Sequence, residues 1–335
     1  MGKIKYMLER ITHMNYGNMF KTIDKIHNIT NKNKFSIFCD VIYTGLKYGA
    51  GYVDYYQFQM YKMNDSEKAT IITRGVNNSI MKKYNNQSEI YKFEDKVTFN
   101  KLFNKYLNRD WIYLKEASID DFKKYLNGKD YVIVKPLDLS CGKGVDKINV
   151  KNVNVNDLYN KLIESGQTLV EDVAKQNKIL DDIYPYSVNT LRVVTLNYKV
   201  VTAYLRIGNN KNVVDNFNHG GMVTVIDVDT GMINYPAIDK DTNVYQEHPM
   251  THKKIVGVKI PMWDDVKKMC EEAAHVVPSV KYVAWDVCLG PDKPCLIEGN
   301  DFPGHDLYQL PVHRKGNTGL LPRFKKAMEE NEKWN

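Results

Sequence analysis

Apolar residues recur every three or four positions near the start of the chain: Ile4, Met7, Leu8 and Ile11, then Met19, Ile23 and Ile26. That spacing puts them on one face of a helix and predicts one or two amphipathic helices. The Tyr-rich stretch 52–61 has no clean period and reads as irregular chain or a short helix. Asp65 or Ser66 is placed to cap a short helix before Ile71 and Ile72. Asp95 is placed to cap a longer one carrying Val97, Phe99, Leu102, Phe103 and Tyr106. The texture then changes to short apolar runs between turns. Residues 131–134 read as a strand ending at Lys135-Pro136, 145–150 as a second strand, 157–163 as a helix, and 168–170 as a strand running into Glu171. Beyond Pro185, residues 191–196 and 200–207 predict a hairpin turning at Asn197-Tyr198-Lys199. Residues 222–228, 282–289 and 295–298 are further strands, the last two joined by Gly290-Pro291-Asp292. A helix over 263–277 places Val266, Met269, Cys270, Ala273 and Ala274 on one face, and 320–328 makes a last helix. The class this predicts is α+β.

At 335 residues and 43% hydrophobic, the chain is long enough for more than one core. Three zones emerge: a mostly helical, Tyr-rich region 1–95, an alternating strand and helix region 96–185, and a hairpin-rich region 186–335. No repeat or low-complexity linker separates them, so they are expected to pack as one body. The 47 Lys and Arg exceed the 40 Asp and Glu by seven, and no run of like charges concentrates the excess. That argues against a nucleic-acid binder and for small anionic ligands. Cys39, Cys141, Cys270, Cys288 and Cys295 form no CxxC pair and match neither a disulfide framework nor a zinc site; they read as reduced thiols. No stretch approaches the ~18 apolar residues of a membrane span, and the first ten residues lack a signal-peptide core. The expected setting is cytoplasmic.

Three groups of residues carry candidate chemistry. The first is Lys135 at a strand end, followed by Ser140-Cys-Gly142-Lys143-Gly144. A fixed cation beside a glycine-bearing turn suits a polyphosphate, because glycine lets backbone N–H groups approach the oxygens closely. No Walker A pattern is present, and a hairpin turn beside an exposed lysine would look the same. The second is Asp286, with Glu298 and Asn300 on the following strand. Two residues apart on a strand, Glu298 and Asn300 face the same side, and two carboxylates with one amide oxygen suit Mg²⁺; the plainer reading is a solvated hairpin face. The third is Asn189, Arg192, Arg206 and the loop Asp215-Asn216-Phe-Asn218-His219-Gly220-Gly221, with arginines suited to bidentate bonds with phosphate or carboxylate. No GxSxG elbow or HExxH motif occurs. Tyr52, Tyr55, Tyr56 and Phe58 either fill a core or line an acceptor groove.

The order of these pieces resembles the ATP-grasp superfamily: Asp95-Lys96, Val134-Lys135-Pro136 with its glycine loop, Leu169-Val170-Glu171-Asp-Val173, Asp286, then Glu298-Gly-Asn300. The wording resembles its sugar-transfer-associated family, found with surface-polysaccharide genes, in Ser187-Val-Asn189-Thr-Leu-Arg192, Leu205-Arg206-Ile-Gly208, Asp215-Asn216 with Gly220-Gly221, His248-Pro249, Ile260-Pro261-Met-Trp263 and Trp285-Asp286. The likeness covers residues from about 90 to 310. It implies ATP clasped between two α+β subdomains beside a mostly helical N-terminal region. Lys96 and Lys135 would then meet the phosphates under the Gly142 and Gly144 loop, and Glu171 to Val173 would run along the adenine edge. Arg206 and Arg192 would serve the transferring phosphoryl group, and Asp286, Glu298 and Asn300 would hold Mg²⁺. Asn189, Asp215, Asn216 and His219 would face the substrate. An acidic ribose ligand after Glu171 is not evident; Asp181, Asp182 or Asn189 could replace it. The implied activity is an ATP-dependent carboxylate–amine ligase acting through an acyl-phosphate, on small carboxylate and amine substrates, sugar-linked ones among them. The alternatives are a kinase of the same fold and a non-enzymatic polyanion-binding module.

Overall fold

Helices with one buried face and two antiparallel sheets make up the computed structural model, which describes residues 15–137, 144–211 and 215–332. The helix expected over Ile4 to Ile11 lies outside the described residues. The chain divides into two units, residues 1–83 with 304–335, and residues 84–303. The first boundary falls at the end of a helix, Arg74–Tyr84, rather than in a polar linker, so composition does not mark it.

In the first unit, helices Tyr16–Thr30 and Lys34–Tyr48 bury Met19, Ile23, Ile26, Ile37 and Val41. The short helix Tyr52–Gln57 adds the fully buried Tyr55, and Phe58 follows it into the same core, with Tyr52 and Tyr56 packed partly buried against it. Asn64, not Asp65 or Ser66, caps the helix Asp65–Lys68. Its side chain accepts from Glu67 N at 2.9 Å while Glu67 reaches back to Asn64 N at 2.8 Å, a reciprocal box that satisfies two end groups at once. The C-terminal tail returns to this unit: Gln309 brackets Ile72 through both of its backbone groups, at 3.1 and 2.6 Å.

The second unit carries both sheets. Its smaller sheet has the order β1-β4-β2-β3, from Trp111–Tyr113 (β1), Tyr131–Lys135 (β2), Asp146–Asn149 (β3) and Leu169–Asp172 (β4). Val132, Val134 and Val170 face helices Ile119–Leu126 and Val155–Ser165, where Phe122, Leu126, Leu158 and Leu162 complete a dry layer. Directly opposed residues share a face, and Ile133 pairs with Glu171. Lys135, two residues beyond Ile133, therefore lies with Glu171 on the face turned away from the helices.

The larger sheet is β11-β10-β5-β6-β7-β8-β9. Thr190–Leu196 (β5) and Lys199–Ile207 (β6) form the expected hairpin, with Asn197 and Tyr198 both at positive φ, the backbone that two-residue hairpin turns need. Met222–Ile226 (β7), Ala237–Asp239 (β8), Val244–Tyr245 (β9), Tyr282–Leu289 (β10) and Pro294–Asn300 (β11) complete it. One face is sealed by helices Lys96–Leu107 and Trp263–Ala274, which bury Phe99, Phe103, Val266, Met269 and Cys270 with Trp285 of β10. Each such side chain contributes ~1.5–3 kcal/mol by leaving water. Packing is close at Gly299 of β11, where a Cβ would stand 3.0 Å from the rings of Phe93, Phe99 and Trp285. The opposite face of β5, β6, β10 and β11 carries the charged residues.

Candidate active site

Lys96 opens the helix Lys96–Leu107, whose N-cap Asp95 accepts from Thr98 N at 2.6 Å. From there its Nζ donates to the carbonyls of Pro136 and Leu137, at 2.8 and 3.0 Å. Those carbonyls directly follow Lys135, so two lysines distant in sequence meet at the end of β2. Lys135 Nζ lies 2.7 Å from Glu171 Oε2. The same carboxylate accepts from Arg109 Nε at 3.0 Å and Asn100 Nδ2 at 2.9 Å. Burial alone would push the Glu171 carboxyl up, but Lys135 and then Arg109 outweigh it and hold it well below the usual carboxylate range. With both cations charged, this core has one negative group against two positive ones. Val173 lies just beyond β4, half-buried and outside the ladder. Gly144 holds a left-handed turn and its carbonyl accepts from Gln167; Gly142 lies outside the described residues.

Arg109 also reaches across to the larger sheet. Its Nη1 donates to Leu296 O and its Nη2 to Ile297 O at 3.4 Å. At Ile297 the pairing of β10 with β11 takes up one extra residue: Val287 faces Leu296, yet Asp286 faces Glu298. The bulge brings the two carboxylates side by side on the charged face.

Asp286 is buried and stands opposite Arg192 on its other side. Arg192 Nη2 donates to its Oδ2 at 2.6 Å, with Nε bonding Oδ1, and Arg206 Nη1 donates at 3.0 Å. Burial favours the neutral acid, yet the two guanidiniums hold its pKa down to about 2. Glu298 is more exposed. Loss of water on its inner side and the adjacent Asp286 push its carboxyl up. Asn300 turns its amide to Glu298 at 3.4 Å. Among the described residues no three His, Cys, Asp or Glu side chains cluster as a metal site. The set at hand is two carboxylates and an amide. Two facing carboxylates, one with a raised pKa, fit a hard divalent cation, which would relieve their repulsion.

Other sequence-selected residues sit beneath this row. Asn189 is wholly buried and donates to Leu180 O, Tyr184 O and Gln176 while accepting from Gly208 N; it braces the strand above it. Asp215 is buried, accepts from Thr190 N at 2.9 Å and from Arg206 at 2.6 Å, and so pins the loop to β5 and β6. Gly221 must be glycine there, since a Cβ would lie 2.5 Å from Asp215 O. Asn216 caps the turn through Asn218 N, and His219 is exposed. Residues 212–214 of this loop lie outside the described residues. Asp181 accepts from Gln176 and Asp182 pairs with Lys178, an exposed lysine. Sequence reasoning passes over Asn100 and Arg109. Their partner Glu171 is 71 and 62 residues away, so no local spacing marks them.

A lysine pair at a strand end, a buried carboxylate clamped by arginines and an acidic strand pair beside it all lie within the second unit. The chain matches the family model of sugar-transfer associated ATP-grasp proteins over residues 75–328, and it belongs to that family. Its fold is the ATP-grasp fold of the α+β class, with a helical N-terminal region. A search of curated proteins gives no match. Solved structures with a similar fold include the ATP-grasp ligase PsnB complexed with precursor peptide PsnA2 and AMPPNP, at 11% identity and TM-score 0.45, covering 74% of this chain and 62% of that one. They also include D-alanine–D-alanine ligase from Bacillus anthracis, at 12% identity and TM-score 0.42, covering 78% and 77%. A third is D-cycloserine synthetase DcsG, at 12% and 0.42, covering 74% and 73%. The chain thus spans less than two thirds of the length of PsnB.

Proposed function

We propose that this protein is an ADP-forming ligase that joins a carboxylate to an amine, with a sugar acid or related surface-polysaccharide precursor as the acid. The observation that carries the reading is the convergence of Lys96 and Lys135 at the end of β2, linked through Glu171 and Arg109 to the strand pair of Asp286 and Glu298. In this reading Lys96 and Lys135 hold the phosphates, with the Gly142 to Gly144 turn over them. The backbone from Glu171 to Val173 lies along the adenine. Asp286, Glu298 and Asn300 hold Mg²⁺, which supplies charge neutralisation on the phosphate oxygens. Arg206 and Arg192 orient Asp286 and balance charge on the transferring group. Asn216 and His219 stand on the acceptor side, with Asn189 and Asp215 positioning them from below. The sugar-transfer association of the family supports the choice of acid.

The test is an ADP-release screen of sugar acids against small amines. ADP should accumulate only when acid and amine are both present. Release with a hydroxyl acceptor and no amine would make the protein a kinase instead.

A further inference from the structure

Cys288 and Cys295 read from sequence as unrelated thiols, but the fold sets them directly opposite each other on β10 and β11. Opposed residues share a face, and their Cα atoms in antiparallel pairs lie about 4.5–5.5 Å apart, inside the range a disulfide spans. The two thiols interact with each other, Cys288 Sγ donates to Lys175 O at 3.8 Å, and both are free. They lie on the charged face, Cys288 two residues along β10 from Asp286, and close to the exposed turn residues Pro291 to Lys293. Cys288 is fully buried and Cys295 nearly so. Arg109 stands beside Cys295, the electropositive setting in which a thiolate forms and reacts. The other two described cysteines, Cys39 and Cys270, have no such neighbour: one is exposed, the other is sealed in the helix-covered core.

The geometry points to a redox modification site: Cys288 and Cys295 form a reversible cross-strand disulfide, with hydrogen peroxide as oxidant. The Cys295 sulfur attacks one peroxide oxygen, the O–O bond breaks, and hydroxide leaves with a proton as water. The Cys288 sulfur then attacks the resulting sulfenic sulfur, its S–H proton going to the departing hydroxyl as a second water. Two thiols lose two hydrogens and one peroxide is reduced to two waters. The site does not depend on which substrates the enzyme takes.

The experiment treats the reduced, folded full chain with hydrogen peroxide, blocks remaining thiols with iodoacetamide and reads each cysteine by mass spectrometry. Circular dichroism checks that the fold persists. The expected product is a peptide spanning Cys288 and Cys295 that has lost two hydrogens, resists alkylation and recovers both alkylation sites after dithiothreitol. Cys288→Ser and Cys295→Ala should each abolish that species. The proposal is overturned if both cysteines remain fully alkylatable under conditions that oxidise the exposed Cys39. It is equally overturned if they oxidise singly to sulfinic acids without cross-linking. Both of these outcomes are read on the unmutated protein, so a variant that fails to fold leaves the test intact.

Discussion

A buried carboxylate between two guanidiniums stores stability that acid removes. Asp286 has a folded pKa of about 2, below the ordinary value of about 3.9 for an unfolded chain. Between those values the unfolded state binds more protons, so the contribution is present above about pH 4 and lost as pH falls toward 2. Asp286→Asn should cost about 3 kcal/mol near pH 6, because Arg192 and Arg206 lose their shared counter-charge in a buried place. The gap between wild type and variant should narrow as urea unfolding is repeated toward pH 3; a constant gap would show that the ion pair is not what acid weakens. Lys135 belongs to the same scale. Lys135→Ala leaves Arg109 and Asn100 on Glu171, so the fold should survive, while affinity for an ATP analogue with Mg²⁺ should drop at least about tenfold, ~1.4 kcal/mol. Unchanged affinity by calorimetry would remove Lys135 from the phosphate site.

Elements with strong local signals are legible in the chain, and those without are not. Asp95 caps the helix Lys96–Leu107 as its position implies, and the hairpin β5–β6 turns where Asn197-Tyr198 predicts. The helix Lys34–Tyr48 escapes a periodicity reading because Phe35, Ile37, Phe38, Val41, Tyr43 and Leu46 spread over several faces, with only Ile37, Val41 and Thr44 buried. β1, β8 and β9 have two or three residues each, too few to show a period. Lys135, Glu171 and Asp286 stand out in the sequence by type and strand position, while Arg109 and Asn100 owe their place to contacts far along the chain. The Asp95 cap offers a direct test. Asp95→Ala removes the acceptor for Thr98 N and should cost about 1 kcal/mol of stability in urea unfolding. Because Lys96 is the first residue of that helix, nucleotide affinity should weaken in the same variant, whereas Asp95→Asn should restore most of both. Failure of Asn to rescue would mean that charge, rather than capping, is the role of Asp95.

The two units differ in how the chain builds them. Residues 84–303 are continuous and contain the two sheets, their cores and every described residue of the candidate site. Residues 1–83 need the returning tail, where Gln309 satisfies both backbone groups of Ile72 and Leu321 N donates to Thr70 O at 2.9 Å. A fragment of residues 84–303 should therefore unfold cooperatively by itself, and residues 1–83 alone should not. Circular dichroism melts of the two fragments check this, and a non-cooperative melt of 84–303 would refute it. Linear zones drawn from composition could not show the return of the tail, because nothing in residues 304–335 marks Gln309 or Phe324 as belonging with helices near the start.

The extra residue in β11 amounts to a parity setting for everything after it. If Ile297 took the place opposite Asp286 as in a regular ladder, Glu298 would stand opposite Trp285, its carboxylate sent toward the aromatic core, and Gly299 would lose the place where a Cβ would stand 3.0 Å from three rings. Removing the extra residue, by contrast, leaves Leu296 opposite Val287 and Glu298 opposite Asp286 in an unbulged ladder. Deleting Ile297 should therefore keep Glu298 beside Asp286 and retain Mg²⁺-dependent turnover, while removing a carbonyl that Arg109 grips should cost about 1–3 kcal/mol of stability. Replacing Ile297 with Ala keeps the count and should leave turnover within about threefold, since the carbonyls that Arg109 grips belong to the backbone. Loss of turnover in the deletion but not in the Ala variant would show that the bulge itself, rather than the face Glu298 takes, is what the site requires.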